Sequence, residues 1–244
     1  MSKRNIIFLL GFIAIAGSIN AQVRPGVKVG YNLGGVMATL PENVSKTPFV
    51  TGNPDNFSMR SGFQAGLIAD CPINGAFSIQ PGARFAMQGF SDEYRSGGET
   101  GKKVVRNFSL FYLQIPIYAQ YRLNVAEETN LLFQAGPYAG FGLFGRQSYS
   151  SGGKTPNGFS DKHKKIAFDE DFNKILDYGL SAGVGVEFYR MQLVAAYDFG
   201  LNQATFHKKE AYSGSMYVDM RNHNFSITLA VIFGRRDPLQ NKKD

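Results

Sequence analysis

Residues 140–145, Gly140-Phe141-Gly142-Leu143-Phe144-Gly145, spell G-x-G-x-x-G, the spacing with which a strand-to-helix turn wraps a dinucleotide pyrophosphate. That chemistry requires a helix to open directly after the third glycine, because the pyrophosphate rests on the helix N-terminus. The residues that follow, RQSYSSGGKTPNG, have no helical periodicity, so the stretch reads as a strand with glycines along one face. Asp169, Asp171 and Asn173 begin a D-x-D-x-N series like that of an EF-hand. Its sixth position is Lys174 rather than glycine and its twelfth is Leu180 rather than glutamate, so calcium ligation fails where the loop is most demanding. An acidic cluster in a solvated loop remains. His163 and His207 fall in expected loops and His223 near the start of the last strand, with no His-Glu-x-x-His series and no nucleophile elbow. Metal and hydrolytic chemistry have no motif to stand on. The expectation is a protein with no cofactor, no bound metal and no catalytic activity.

A second set of chemically capable residues is more informative. Lys28, Arg60, Asp70, Arg84, Arg122, Asp177, Glu187 and Asp198 lie on the polar side of otherwise apolar segments. Counted from one end of those segments, Lys28, Asp70, Arg122 and Glu187 lie low, Arg84 and Asp198 near the middle, and Arg60 and Asp177 high. Both signs occur at each level, so the expected role is structural, with opposite charges pairing across an enclosed interior. The single cysteine, Cys71, excludes an intramolecular disulfide.

The elements that carry these residues alternate with a period of two, eight times over. Leu113, Ile115, Ile117, Ala119, Tyr121 and Leu123 oppose Gln114, Pro116, Tyr118, Gln120 and Arg122; Leu180, Ala182, Val184, Val186 and Phe188 oppose Gly179, Ser181, Gly183, Gly185 and Glu187. Comparable segments begin near Val27, Phe63, Phe77, Phe133, Leu193 and Phe225, and none places Lys, Arg, Asp or Glu on its apolar face. Pro81 and Pro137 each remove a ladder donor and predict bulges or strongly twisted positions. Connections alternate too. Long ones follow the first, third, fifth and seventh segments, including SDEYRSGGETGKKVVRN and the stretch from Arg146 to about Asn173, whereas CPING, NVAEETN and Tyr189-Arg190 are short.

Residues 1–21, MSKRNIIFLLGFIAIAGSINA, have the basic start, apolar middle and small-residue end of a secretory signal peptide. The apolar part is too short to span a bilayer as a helix. The expected organisation is therefore a signal peptide at 1–21, a β-barrel at 22–234 and a polar periplasmic tail at 235–244. Lys plus Arg exceed Asp plus Glu by 26 to 19, but the basic residues are scattered, so nucleic acid is not an expected partner. A secreted soluble barrel could share the alternation, with its apolar face inside. Glycines and short polar residues on one face, bulky groups on the other, and aromatics at strand ends favour lipid on the bulky side. The predicted fold is all-β, an eight-stranded antiparallel up-and-down transmembrane barrel with long extracellular loops and short periplasmic turns. Eight strands leave an interior just filled by side chains.

The segments GVKVGYNLGG, SIQPGARFAMQGF, FYLQIPIYAQYRL, GPYAGFGL, DYGLSAGVGVEF and NFSITLAVIFG resemble the PorT-like outer-membrane β-barrel family of Bacteroidetes over nearly the whole mature chain. These motifs are barrel staves and carry no catalytic or ligand residues across. The resemblance implies an outer-membrane location with lipid as the partner. It further implies an accessory role in type IX protein secretion, with other secretion-machinery proteins as partners. The tail GRRDPLQNKKD after Phe233 departs from barrels that end on an aromatic. Recognition of an external ligand by the long loops, or a small pore, are the alternative functions.

Overall fold

The computed structural model describes residues 23–39, 57–96, 102–151, 164–166, 175–202, 204–208 and 216–234. The expected signal peptide, the polar tail, Asp169, Asp171, Asn173, His163 and the GGKTPNG segment lie outside the described residues. The strands are β1 (Arg24–Thr39), β2 (Phe57–Pro72), β3 (Phe77–Ser96), β4 (Lys102–Ala126), β5 (Thr129–Ser151), β6 (Lys164–Ile166), β7 (Leu176–Phe188), β8 (Met191–Gly200), β9 (Ala204–Lys208) and β10 (Met216–Ile232). Strands β1, β2, β3, β4, β5, β7, β8 and β10 pair in that order, each antiparallel to the next, and β1 returns to β10. The result is a closed, eight-stranded antiparallel barrel. Closure leaves no sheet edge within the wall, as a lipid environment requires. The short β9 continues along β10 after β8 ends, and β6 adds to β5 at Gly145–Gln147.

Three tight connections gather at one end. Asn74 accepts the N–H groups of Ala76 and Phe77 at 2.9 and 2.8 Å through its side-chain oxygen, closing the turn between β2 and β3 without a regular ladder. Glu128 (φ 59°) and Tyr189 (φ 53°) take the left-handed conformation in the other two.

Alternation decides the faces. On β7 and β8 every second residue is buried or half-buried inside while Leu180, Val184, Leu193 and Tyr197 are exposed. At the turn end the outer face carries Phe77, Tyr121 and Phe133 in contiguous register, with ring centroids 4.9 and 6.4 Å apart. A second aromatic row, Phe63, Phe85, Phe111 and Phe144, crosses β2 to β5 near the other end with spacings of 6.3, 5.7 and 4.5 Å. Phe111 and Tyr121 lie ten residues apart on β4. At about 3.3 Å per residue and a tilt of about 40° this spans roughly 25 Å, the height of an outer-membrane barrel's apolar band. Between the two rows the described outward positions hold no Lys, Arg, Asp or Glu. Ile115, near the middle of this band and 45% exposed, therefore tests it. Ile115→Arg is expected to destabilise the barrel in lipid vesicles by about 2–4 kcal/mol, and Val125→Arg, beyond the turn-end row, by about 0–1 kcal/mol. Urea unfolding in vesicles measures the difference, and equal costs at both sites would remove the band assignment.

The structure corrects two readings of the sequence. Ser91 through Asn107, expected as a loop, is largely strand, with β3 and β4 paired out to Ser96 and Lys102; Gly145 likewise does not end β5, which continues to Ser151. Beyond the aromatic row the outward face leaves the apolar band, so its apolar alternation stops although the ladder does not. The registers also run unshifted past Pro81, opposite Ile117, and Pro137, opposite Leu180. Each proline forgoes a donor without inserting a residue. The shifts fall instead between Met59 and Gln64, at Phe111/Tyr112 and between Asn124 and Ala126.

Candidate functional site in the barrel interior

Inward positions on β1 to β4 and β7 bring charges together at the turn end. Asp70, fully buried, lies between two arginines. Arg24 donates to its Oδ2 through Nε at 3.1 Å and through Nη2, and Arg122 Nη2 donates to its Oδ1 at 2.9 Å. Arg122 also donates through Nε to Glu187 at 3.1 and 3.3 Å and through Nη1 to Ser78 Oγ. Glu187 receives further bonds from Gln192 Nε2 at 2.6 Å and Asn130 Nδ2 at 3.4 Å. Above it Gln80 donates to Gln120 and Gln192 at 3.4 and 3.3 Å, and Gln120 to Gln134 at 3.3 Å. The four charged groups and their amide neighbours bridge strands on opposite sides of the interior. Arginine suits this position because its fork of donors serves two carboxylates at once.

A second tier centres on Arg84, 2% exposed. Its Nη2 donates to Asp198 Oδ2 at 2.6 Å and its Nε to Gln114 Oε1 at 2.8 Å, while Asn224 Nδ2 reaches the same Asp198 oxygen at 3.1 Å. Lys28 belongs to this tier and not to the lower one expected from the sequence, because it pairs in register with Gly66, and Gly66 with Arg84. Counting residues from the turn end ignores the stagger between tilted strands. Lys28 forms no ion pair among the described residues; its Nζ lies 5.3 Å from the centroid of the Tyr118 ring, an attractive arrangement for a buried cation.

Arg60 and Asp177 are not brought together. Arg60 is half-buried beside the register shift in β2, and its Nη1 has no hydrogen-bond partner among the described residues; Asp177 lies opposite Gly140 with Oδ2 equally unpartnered. On the β3–β4 wall the far end of the interior is instead mainly apolar. Phe90, Phe108, Leu110 and Tyr112 are all at most 3% exposed; the Phe90 and Phe108 rings stack at 4.6 Å, and Phe57 meets Phe90 edge-on at 5.6 Å.

Two groups of interior residues escaped the sequence reading. Arg24 precedes the first segment as read, yet it continues the same alternation through Gly26, Lys28 and Gly30, and that parity was the available signal. Phe90, Phe108 and Leu110 flank the expected loop at 91–107, where the alternation as read assigns them to neither face. Among the described residues the buried cations Arg24, Lys28, Arg84 and Arg122 equal the buried anions Asp70, Asp177, Glu187 and Asp198 in number, four to four. Among the described residues no group of three or more His, Cys, Asp or Glu is placed to hold a metal.

The family model for an outer membrane protein beta-barrel domain matches residues 18–205. No curated protein matches the chain. Among solved structures, OprG from Pseudomonas aeruginosa is similar at 13% identity, covering 87% of this chain and 97% of its own, with a TM-score of 0.40. Neisserial surface protein A is similar at 14% identity, covering 86% and 97%, TM-score 0.37. The attachment invasion locus protein of Yersinia pestis is similar at 13% identity, covering 86% and 99%, TM-score 0.36.

Proposed function

This chain belongs to the outer-membrane β-barrel domain family, and from that premise we propose that it is a closed, non-enzymatic barrel of the bacterial outer membrane that anchors an accessory assembly and conducts no solute. The observation that carries this reading is the bridge Arg24–Asp70–Arg122–Glu187 across the turn end of the interior. Opening a path there would separate buried charges from their partners, a costly step in a low-dielectric interior. Phe57, Phe90 and Phe108 support the same reading at the far end. The turn end faces the periplasm and the extended β3–β4–β5 wall projects outside, the orientation usual for barrels with short periplasmic turns.

Within that reading, the resemblance of the staves to PorT-like sequences supports an accessory role in type IX secretion. Purified protein in planar bilayers is expected to give no single-channel steps in molar salt, and regular steps from the wild-type chain would remove the closed-barrel reading. Deletion of the gene is expected to retain exported proteases in the periplasm. An unchanged secretome would remove the secretion role while leaving the closed anchor standing.

A further inference from the structure

We infer that the outward face of the β4–β5–β6 wall, just beyond the aromatic row, binds the phosphate groups of outer-leaflet glycolipids, with Arg146 as its principal contact. The inference rests on the orientation proposed above. Along β5 the even-numbered residues Leu132, Gln134, Tyr138 and Gly140 face the interior, so parity alone would turn Arg146 inward. The register shift opposite Phe111/Tyr112 inserts Leu143 as an extra residue, and Leu143 and Phe144 are both exposed, at 49 and 43%. Past the bulge Gly145 and Gln147 are buried and Arg146 is exposed. Bulges re-aim side chains in this way. Here the bulge moves a cation from the interior to the outer wall.

The height of that cation identifies its partner. Phe144 stacks on Phe111 at 4.5 Å in the row that ends the apolar band, and Arg146 is two residues further along the strand, about 5 Å higher for a tilted strand. That is the depth of lipid headgroups, where aromatics give way to cations. The register neighbours of Arg146 are Ser109 on β4 and Lys165 on β6, with Lys164 adjacent opposite Gln147. Among the described residues no acidic residue stands in this register row. On the opposite wall Arg221, also exposed, stands four residues beyond Phe225. Guanidinium groups bind phosphate oxygens in a bidentate manner, and a phosphate anchored within a bilayer presents itself at this height without the cost of bringing a free ligand to the surface.

The test is retention of bis-phosphorylated lipid A against the same lipid without phosphates, read by native mass spectrometry of the detergent-purified full-length protein. The wild type is expected to retain the phosphorylated form preferentially. Arg146→Glu combined with Lys165→Glu is expected to reduce that retention at least about tenfold, while Arg146→Lys keeps most of it. Heat-modifiable migration shows that each variant is folded; should the double variant fail to fold, Arg146→Gln alone is expected to lower retention several-fold. Equal retention of both lipids, or no loss in the folded variants, overturns the proposal. So does binding of soluble dextran sulfate that falls in the variants while lipid retention does not, since the row would then serve a free polyanion. Labelling of Ser58→Cys on intact cells by an impermeant maleimide, with native Cys71 at the turn end unlabelled, tests the orientation separately.

Discussion

Arg122→Met is expected to lower the unfolding free energy of the barrel by about 3–5 kcal/mol, the usual cost of removing one partner from a buried ionic cluster. The large effect follows from what the substitution leaves behind. Glu187 would keep its bonds from Gln192 and Asn130 but lose its arginine. Asp70 would retain only Arg24 among its two cationic partners. Neutralising the stranded acid should restore much of the loss, so Arg122→Met with Glu187→Gln is expected to be more stable than Arg122→Met alone. Urea titration of vesicle-reconstituted protein by tryptophan-free tyrosine fluorescence or by heat-modifiable migration gives both values. A loss below about 1 kcal/mol, within the range of an exposed ion pair, would show that water reaches the bridge and would weaken the closed-barrel reading with it.

Gly136→Val is expected to prevent assembly of the folded barrel or to cost more than about 3 kcal/mol, as overpacking against backbone does when nothing can rotate away. A Cβ at Gly136 would stand 2.0 Å from the carbonyl oxygen of Ile117, in the neighbouring strand of the same wall. Relief would require β4 and β5 to part beside Pro137 and Pro116, where ladder donors are already missing. Gly140, four residues along the same inward face, supplies the control. There an added Cβ would meet Gln114 Cγ at 3.1 Å, and the nearest Asp177 atoms lie at 3.5 Å or more, so a flexible side chain can give way. Gly140→Ala is expected to cost no more than about 1 kcal/mol. Similar folded yields for the two variants in an outer-membrane fraction would contradict the difference in backbone approach.

These two sites show how far the sequence reaches. Gly136 and Gly140 occupy equivalent positions in the alternation, and both read as glycines suited to a crowded interior. Their unlike surroundings come from how strongly the strands coil at each point, which has no one-dimensional signature. The same holds for charges. Arg84 and Asp198 were legible as an interior pair and stand 2.6 Å apart, but Arg60 and Asp177, placed together by counting, make no ion pair among the described residues, and Arg24 was overlooked. Pairing across an interior depends on strand stagger, to which residue counts along single strands are blind.

Within the apolar band the sequence determined the strands, their faces and the number of staves, because a bilayer punishes any polar group on the outer side and so imposes strict period-two alternation. Ile115, exposed, and Gln114, buried, accordingly take the opposite faces that their alternation specifies. Outside the band the constraint lapses, and the tertiary structure alone decided that β3 and β4 run on to Ser96 and Lys102 and that Phe90 and Phe108 stack on each other, buried, beyond it. It also decided the face of Arg146. One extra residue at Leu143 reverses every later position on β5, and whether a ladder absorbs such a residue depends on its neighbour across the sheet, not on the strand that carries it.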